Sequence, residues 1–118
     1  MWSSSYSNVA TVDMLPLAPT NLQSPVRTST TISLTWQRNQ PGITGLGYDI
    51  WQGRAPAIGP IVWTQIAAVG DVGGYLVENL TPDSTYYYQV RAFIYNPPTN
   101  TKYYYSTWSN TINTNTLP

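Results

Sequence analysis

The sequence predicts an all-β fold of seven strands, a sandwich or a barrel, and three observations predict it. Charged residues make up 8% of the 118, against roughly 25% in a typical soluble domain. Thr, Ser, Asn, Gln and Tyr supply the surface polarity instead, and Thr and Tyr favour pleated, half-buried strands. After Pro19 the chain breaks into short alternating runs divided by Gly, Pro and Asn, the pattern of stacked or closed sheets. No helical period competes with them. A chain of this length holds one core, not two.

Residues 1–18 are Ser-rich and aperiodic and close in Pro16-Leu17-Ala18-Pro19, which reads as an extended N-terminal arm or linker ahead of a domain spanning 19–118. Apolar side chains gain nothing by standing in water. The arm is therefore either a disordered tail or an assembly arm whose Trp2, Tyr6, Met14 and Leu15 dock on a neighbouring subunit. Strands are expected near 21–24, 30–37, 47–52, 62–69, 75–79, 86–95 and 108–116, with turns at 39–42, 53–60, 70–74 and 96–100. Each turn holds Gly, Pro or Asn, which set or tolerate turn dihedrals.

Parity assigns the faces. In the second run Ile32, Leu34 and Trp36 alternate with hydroxylated residues, so Trp36 is expected at the centre of the core. In the third run Tyr48 and Ile50 point one way and Asp49 and Trp51 the other. In the sixth, Tyr86, Tyr88, Val90 and Ala92 face inward while Tyr87, Gln89, Arg91 and Phe93 face outward.

Ala18-Pro19-Thr20-Asn21-Leu22, Ile32-Ser33-Leu34-Thr35-Trp36 and Gly47-Tyr48-Asp49-Ile50 resemble the first three strands of a fibronectin type III domain. The segment Leu80-Thr81-Pro82-Asp83-Ser84-Thr85-Tyr86-Tyr87-Tyr88-Gln89-Val90-Arg91-Ala92 resembles the same family more specifically. The resemblance implies a seven-stranded antiparallel β-sandwich of immunoglobulin-like topology, with Leu80 plugging one end. It also implies a tyrosine corner in which the Tyr86 hydroxyl returns to nearby backbone. Trp36, Tyr48, Leu80, Tyr86 and Val90 are its expected structural core.

Tyr105-Ser106-Thr107-Trp108-Ser109 is similar to the Trp-Ser element that opens the last strand of many bacterial members, and to the Trp-Ser-x-Trp-Ser box of cytokine receptors with Tyr105 in place of the first Trp. That likeness implies Arg91 stacked on Trp108, a contact of about 0.5 to 1 kcal/mol when exposed. Trp108 and Ile112 share parity, so a bulge must intervene if Ile112 faces inward.

Composition closes off most catalysis. Cys and His are both absent, which removes thiol nucleophiles, imidazole proton transfer and thiolate or imidazole metal sites. The carboxylates Asp13, Asp49, Asp71, Asp83 and Glu78 form no acid and base pair on the strand map and no acid-dense calcium loop. Neither a phosphate loop nor an Arg-Gly-Asp is present. No enzyme, no cofactor and no metal are expected. A net charge of zero leaves nothing to neutralise phosphates or anionic lipid, so nucleic acid and membrane insertion are not expected either. Asn79-Leu80-Thr81 fits a glycosylation acceptor by chance. No signal peptide is visible.

Recognition on such a scaffold sits in loops and on exposed sheet faces. The candidate binding residues are Tyr95, Tyr103, Tyr104 and Tyr105 around the last loop, with Trp51, Tyr87, Arg91 and Trp108 on the sheet face. Tyrosine gives large contact area at low entropy cost. Partners of two kinds suit these aromatics: proteins in an assembly, a homo-oligomer included, or surface glycans. The leading expectation is a structural or adhesive module on a virion or extracellular surface, such as a phage decoration or fibre component. The alternative is a spacer or weak carbohydrate-binding domain of a secreted bacterial polysaccharide-degrading enzyme.

Overall fold

The computed structural model describes residues 16–96 and 101–118, the side chains of residues 96 and 101–103 excepted. Within it β1 is Thr20–Gln23, β2 Ile32–Gln37, β3 Leu46–Arg54, β4 Val62–Val69, β5 Gly74–Val77, β6 Thr85–Asn96, β7 Thr101–Tyr105 and β8 Ile112–Asn115. One sheet runs β1-β2-β5; the other runs β4-β3-β6-β7, with β8 also on β6. Every pairing is antiparallel. The described residues contain no helix.

Alternation closes the two sheets on one another. Ile32, Leu34 and Trp36 of β2 meet Leu46, Tyr48 and Ile50 of β3 and Tyr86, Tyr88, Val90 and Ala92 of β6, with Leu22, Val77 and Leu80 completing the cluster. Each aliphatic side chain so buried contributes about 1.5–3 kcal/mol relative to exposure. The Trp36 and Tyr48 rings are tilted by 53° with centroids 5.5 Å apart. Trp36 is thus in the core, between the sheets.

At one end the Tyr86 hydroxyl accepts the backbone N–H of Thr81 at 2.9 Å, forming the tyrosine corner. The guanidinium of Arg54 covers the same ring at 4.3 Å. Thr116 then locks the turn: its hydroxyl donates to the Thr81 carbonyl at 2.6 Å and accepts the Ser84 N–H at 3.0 Å. The tail of β8 and the β5–β6 turn become one unit.

At the opposite end Asp71 joins two loops, accepting the Gly42 N–H at 2.7 Å and Arg38 Nη1 at 3.2 Å. The Tyr95 N–H reaches the Gly45 carbonyl at 2.8 Å. These bonds gather the β2–β3 and β4–β5 loops beside the end of β6. Leu17 and Ala18 are tied there too, through Gln40 and Asn39.

Several expectations need correction. Among the described residues eight strands are found, not seven, because the segment read as the last loop holds a strand of its own: β7 pairs Phe93–Asn96, and β8, shorter than the expected run 108–116, pairs Thr85–Tyr88. Trp108 lies between them, outside either strand. Tyr95 and Tyr103 to Tyr105 belong to strands β6 and β7, not to a long loop, because β6 runs to Asn96 and β7 begins at Thr101. β3 runs to Arg54, into the segment read as a loop. Phe93 has the outward parity expected of it but is only 7% exposed, for a reason found in the facing strand.

Candidate functional site

The outer face of the larger sheet is where the outward residues of β3 and β6 lie side by side: Gly47 opposite Phe93, Asp49 opposite Arg91, Trp51 opposite Gln89, Gly53 opposite Tyr87. Glycine in a strand marks close approach by another group. A Cβ on Gly47 would stand 2.5 Å from Phe93 Cζ, and one on Gly53 would stand 3.1 Å from the Trp63 ring. Two aromatic rings thus lie flat on the bare backbone of β3. This is why Phe93 is buried while pointing away from the core.

Between the two glycines sits a charge cluster. Asp49 is 0% exposed. Its carboxylate accepts Gln65 Nε2 at 3.1 Å and Arg91 Nε at 3.4 Å. The Arg91 guanidinium lies 3.9 Å from the Tyr105 ring centre, 4.9 Å from that of Trp108 and 5.8 Å from that of Trp51. Trp51 and Trp108 meet edge to face at 5.8 Å. An arginine so enclosed gains cation–π attraction with less competition from water.

Trp108 can join this block because the chain between β7 and β8 abandons the two-residue period of a strand. Ser106 and Ser109, three residues apart, each replace a ladder rung. The Ala92 N–H donates to Ser106 Oγ at 2.8 Å, and the Val90 N–H to Ser109 Oγ at 2.9 Å. In return the Ser106 and Ser109 N–H groups donate to the carbonyls of Ala92 and Val90. Tyr105 and Trp108 carry the same three-residue spacing and both reach Arg91. The step restores inward packing at Ile112, which rests against the core. Asn110 then clasps both backbone groups of Leu22 in the other sheet, at 2.9 and 3.1 Å.

Beyond Phe93, at the end where the loops gather, the face opens into an apolar groove of about 380 Å³. Gly45, Gly47, Ala68, Val69, Phe93 and Tyr95 line it. That volume is at the small end of the range of about 300–1,000 Å³ for ligand pockets. The groove carries no charged side chain.

The sequence-selected residues divide accordingly. Arg91, Trp51, Trp108 and Tyr105 are brought together, but they contact one another, and Trp51 is half-buried with its Nε1 donor enclosed and without an acceptor among the described residues. Tyr87 is half-buried over the Gly53 row, Tyr95 stands at the groove, and Tyr104 is exposed. The Tyr103 side chain and the arm residues Trp2, Tyr6, Met14 and Leu15 lie outside the described residues. Gly47, Ala68, Val69 and Phe93 escaped sequence reasoning. The signal available for them was a pair of glycines, Gly47 and Gly53, at outward positions of one strand.

The ionisable groups serve structure. Burial pushes the phenol of Tyr48 up, with Asp71 adding to the rise and Arg38 opposing it. Burial also pushes up that of Tyr88, with Tyr86 adding and Arg54 opposing. Tyr88 donates its hydroxyl to Gln52 Oε1 at 2.8 Å. Among the described residues no three carboxylates converge as metal ligands.

A family model described as the fibronectin type III domain matches residues 17–114. No curated protein is matched by sequence. Among solved structures the chain is similar to a myokine, at 16% identity and TM-score 0.63, over 87% of this chain and 99% of that one. It is similar to the fibronectin type III domain of human fibronectin type III domain containing protein 3, at 20% identity and TM-score 0.62, over 89% of each chain. A segment of titin is similar at 20% identity and TM-score 0.65, over 88% of this chain and 33% of that one. Likenesses at these identities establish a shared fold.

Proposed function

Because this chain belongs to the fibronectin type III family, whose domains are typically non-catalytic modules for binding or spacing, we propose that it joins proteins within a larger assembly. The contact is made through the groove end of the outer sheet face. The observation that carries this reading is the apolar groove lined by Gly45, Gly47, Ala68, Val69, Phe93 and Tyr95, with Ala68 and Gly70 exposed at it. The Arg91 block behind it, packed ring against guanidinium, acts as a rigid backing, and rigid sites lose less freedom on binding.

In its finer form, the assembly is a virus or phage particle and the chain a decoration or fibre component at its surface. A surface of few charges and zero net charge supports this, since such surfaces do not repel one another. The test is a photoreactive residue at Ala68 or Gly70, both exposed at the groove, in the source cells, followed by the mass of the native complex. A cross-linked protein species at either position supports the reading; a native mass equal to one chain, with no cross-link, overturns it.

The glycan reading is favoured by one feature, the exposed Trp108. Titration of soluble glycans against tryptophan fluorescence separates it: a saturable change lost in Trp108→Ala assigns the face to sugar. The Trp51 face is already occupied by Arg91 and Trp108.

A further inference from the structure

The β3–β4 loop, residues 55–61, reads Ala-Pro-Ala-Ile-Gly-Pro-Ile and holds no polar side chain. Residues 55–60 are exposed, and Ile58 at the tip is 92% exposed. Water does not favour such a display. Burying an isoleucine is favourable, and a solvent-facing tip has no reason of its own to be apolar. The loop is also stiffened. Pro56 and Pro60 fix their φ angles, and Gly59 takes φ +105° to turn the chain after Ile58. A stiff tip loses less entropy when it docks.

This tip and the groove lie at opposite ends of the same strand. The groove begins at Gly45 and Gly47 where β3 starts, and the tip follows Arg54 where it ends. Nine residues of β3 span about 27 Å at the usual rise, so a chain cannot fill its own groove. A second copy can. Both surfaces are apolar and uncharged, and the chain's net charge of zero sets up no repulsion between copies.

We infer that copies of this chain associate head to tail, Ile58 of one seating in the groove beside Phe93 and Ala68 of the next. Such a contact is heterologous, joining different surfaces of identical chains, so it propagates into rings or filaments. The inference rests on the proposed function only in taking the groove as a protein contact.

Sedimentation velocity over a concentration series tests it, using wild type, Ile58→Asp, Ala68→Lys and a second groove variant, Gly70→Glu. Ala68 and Gly70 are exposed, and a Cβ on Gly70 meets no atom within 4 Å, so thermal midpoints should stay close to wild type and certify folding. Wild type should form species beyond the dimer. Each variant alone should lose them. An equimolar mixture of Ile58→Asp with Ala68→Lys should form dimers and nothing longer, since one intact tip and one intact groove remain. Wild type that stays monomeric, a variant that still assembles, or a mixture that stays monomeric would each overturn the inference. So would monomeric wild type that pellets with phosphatidylcholine vesicles through Ile58. A failure here alongside a cross-linked partner in cells leaves the module reading standing with a different protein in the groove.

Discussion

Arg91 Nε lies 3.4 Å from an Asp49 carboxylate that has no solvent exposure of its own. The guanidinium extends past that carboxylate into a shell of Tyr105, Trp108 and Trp51. One side chain therefore answers a buried charge on one strand and anchors the irregular segment between two others.

Replacing Arg91 with Ala should expose this double role. It takes the Arg91 guanidinium away from the buried Asp49 carboxylate, and removing one partner of a buried pair costs about 3–5 kcal/mol. Arg91 is itself partly exposed, so a loss of about 3 kcal/mol is expected in urea denaturation. Arg91→Lys should recover part of it, since an ammonium restores charge but lacks the planar fork that lies against the rings.

Ser106→Ala and Ser109→Ala remove side-chain acceptors from the Ala92 and Val90 amides. Each substitution leaves a buried N–H unpaired, at a cost of about 1–3 kcal/mol. Hydrogen exchange gives the sharper readout: the Ala92 amide should lose protection in the first variant and the Val90 amide in the second. Equal protection in both variants would show that the rung is not carried by the hydroxyls.

Gly47→Ala places a Cβ 2.5 Å from both Phe93 Cζ and the Val69 carbonyl oxygen. The ring must lift off the strand, and overpacking of this sort typically costs about 1–3 kcal/mol. The groove beside it should change shape as well. A Gly47→Ala protein with wild-type stability and unshifted Phe93 ring resonances would contradict the flat-ring packing described here.

Stability should be insensitive to the tyrosines at neutral pH and fall in alkali. Tyr48 and Tyr88 ionise near 10.0 when unperturbed, and burial raises both in the folded protein. The folded state holds these protons longer than the unfolded chain does, so their contribution is full below about pH 10 and is lost as pH rises beyond it. Denaturation midpoints measured from neutral pH upward should be flat on this account and then decline. Tyr88→Phe should weaken that decline.

Much of the fold was legible in the sequence because a sandwich is specified by alternation. Ile32, Leu34 and Trp36 could only face one way without burying hydroxyls, and the same logic put Tyr48 and Ile50 on one face of their strand and turned Tyr86, Tyr88, Val90 and Ala92 inward. The tyrosine corner was readable because its parts are local: Thr81 and Tyr86 are five residues apart. The irregular step before β8 was foreshadowed by the parity of Trp108 and Ile112. Its mechanism was not, since the Ser hydroxyls serve backbone amides 14 and 19 residues away.

The candidate site was legible only in part. The outward parity of Trp51, Tyr87, Gln89 and Arg91 was correct, but parity says which face a side chain takes and nothing about what lies over it. Asp49 and Phe93 are outward and buried because Arg91 covers one and the bare backbone of Gly47 lets the other lie flat. The groove is formed by β3, β4 and β6, whose contributing residues range from Gly45 to Tyr95. Alternation along the chain thus determined the two sheets and their shared core. Only the lateral pairing of strands decided which outward residues meet, because that distance is fixed by register across the sheet and is not encoded within any single strand.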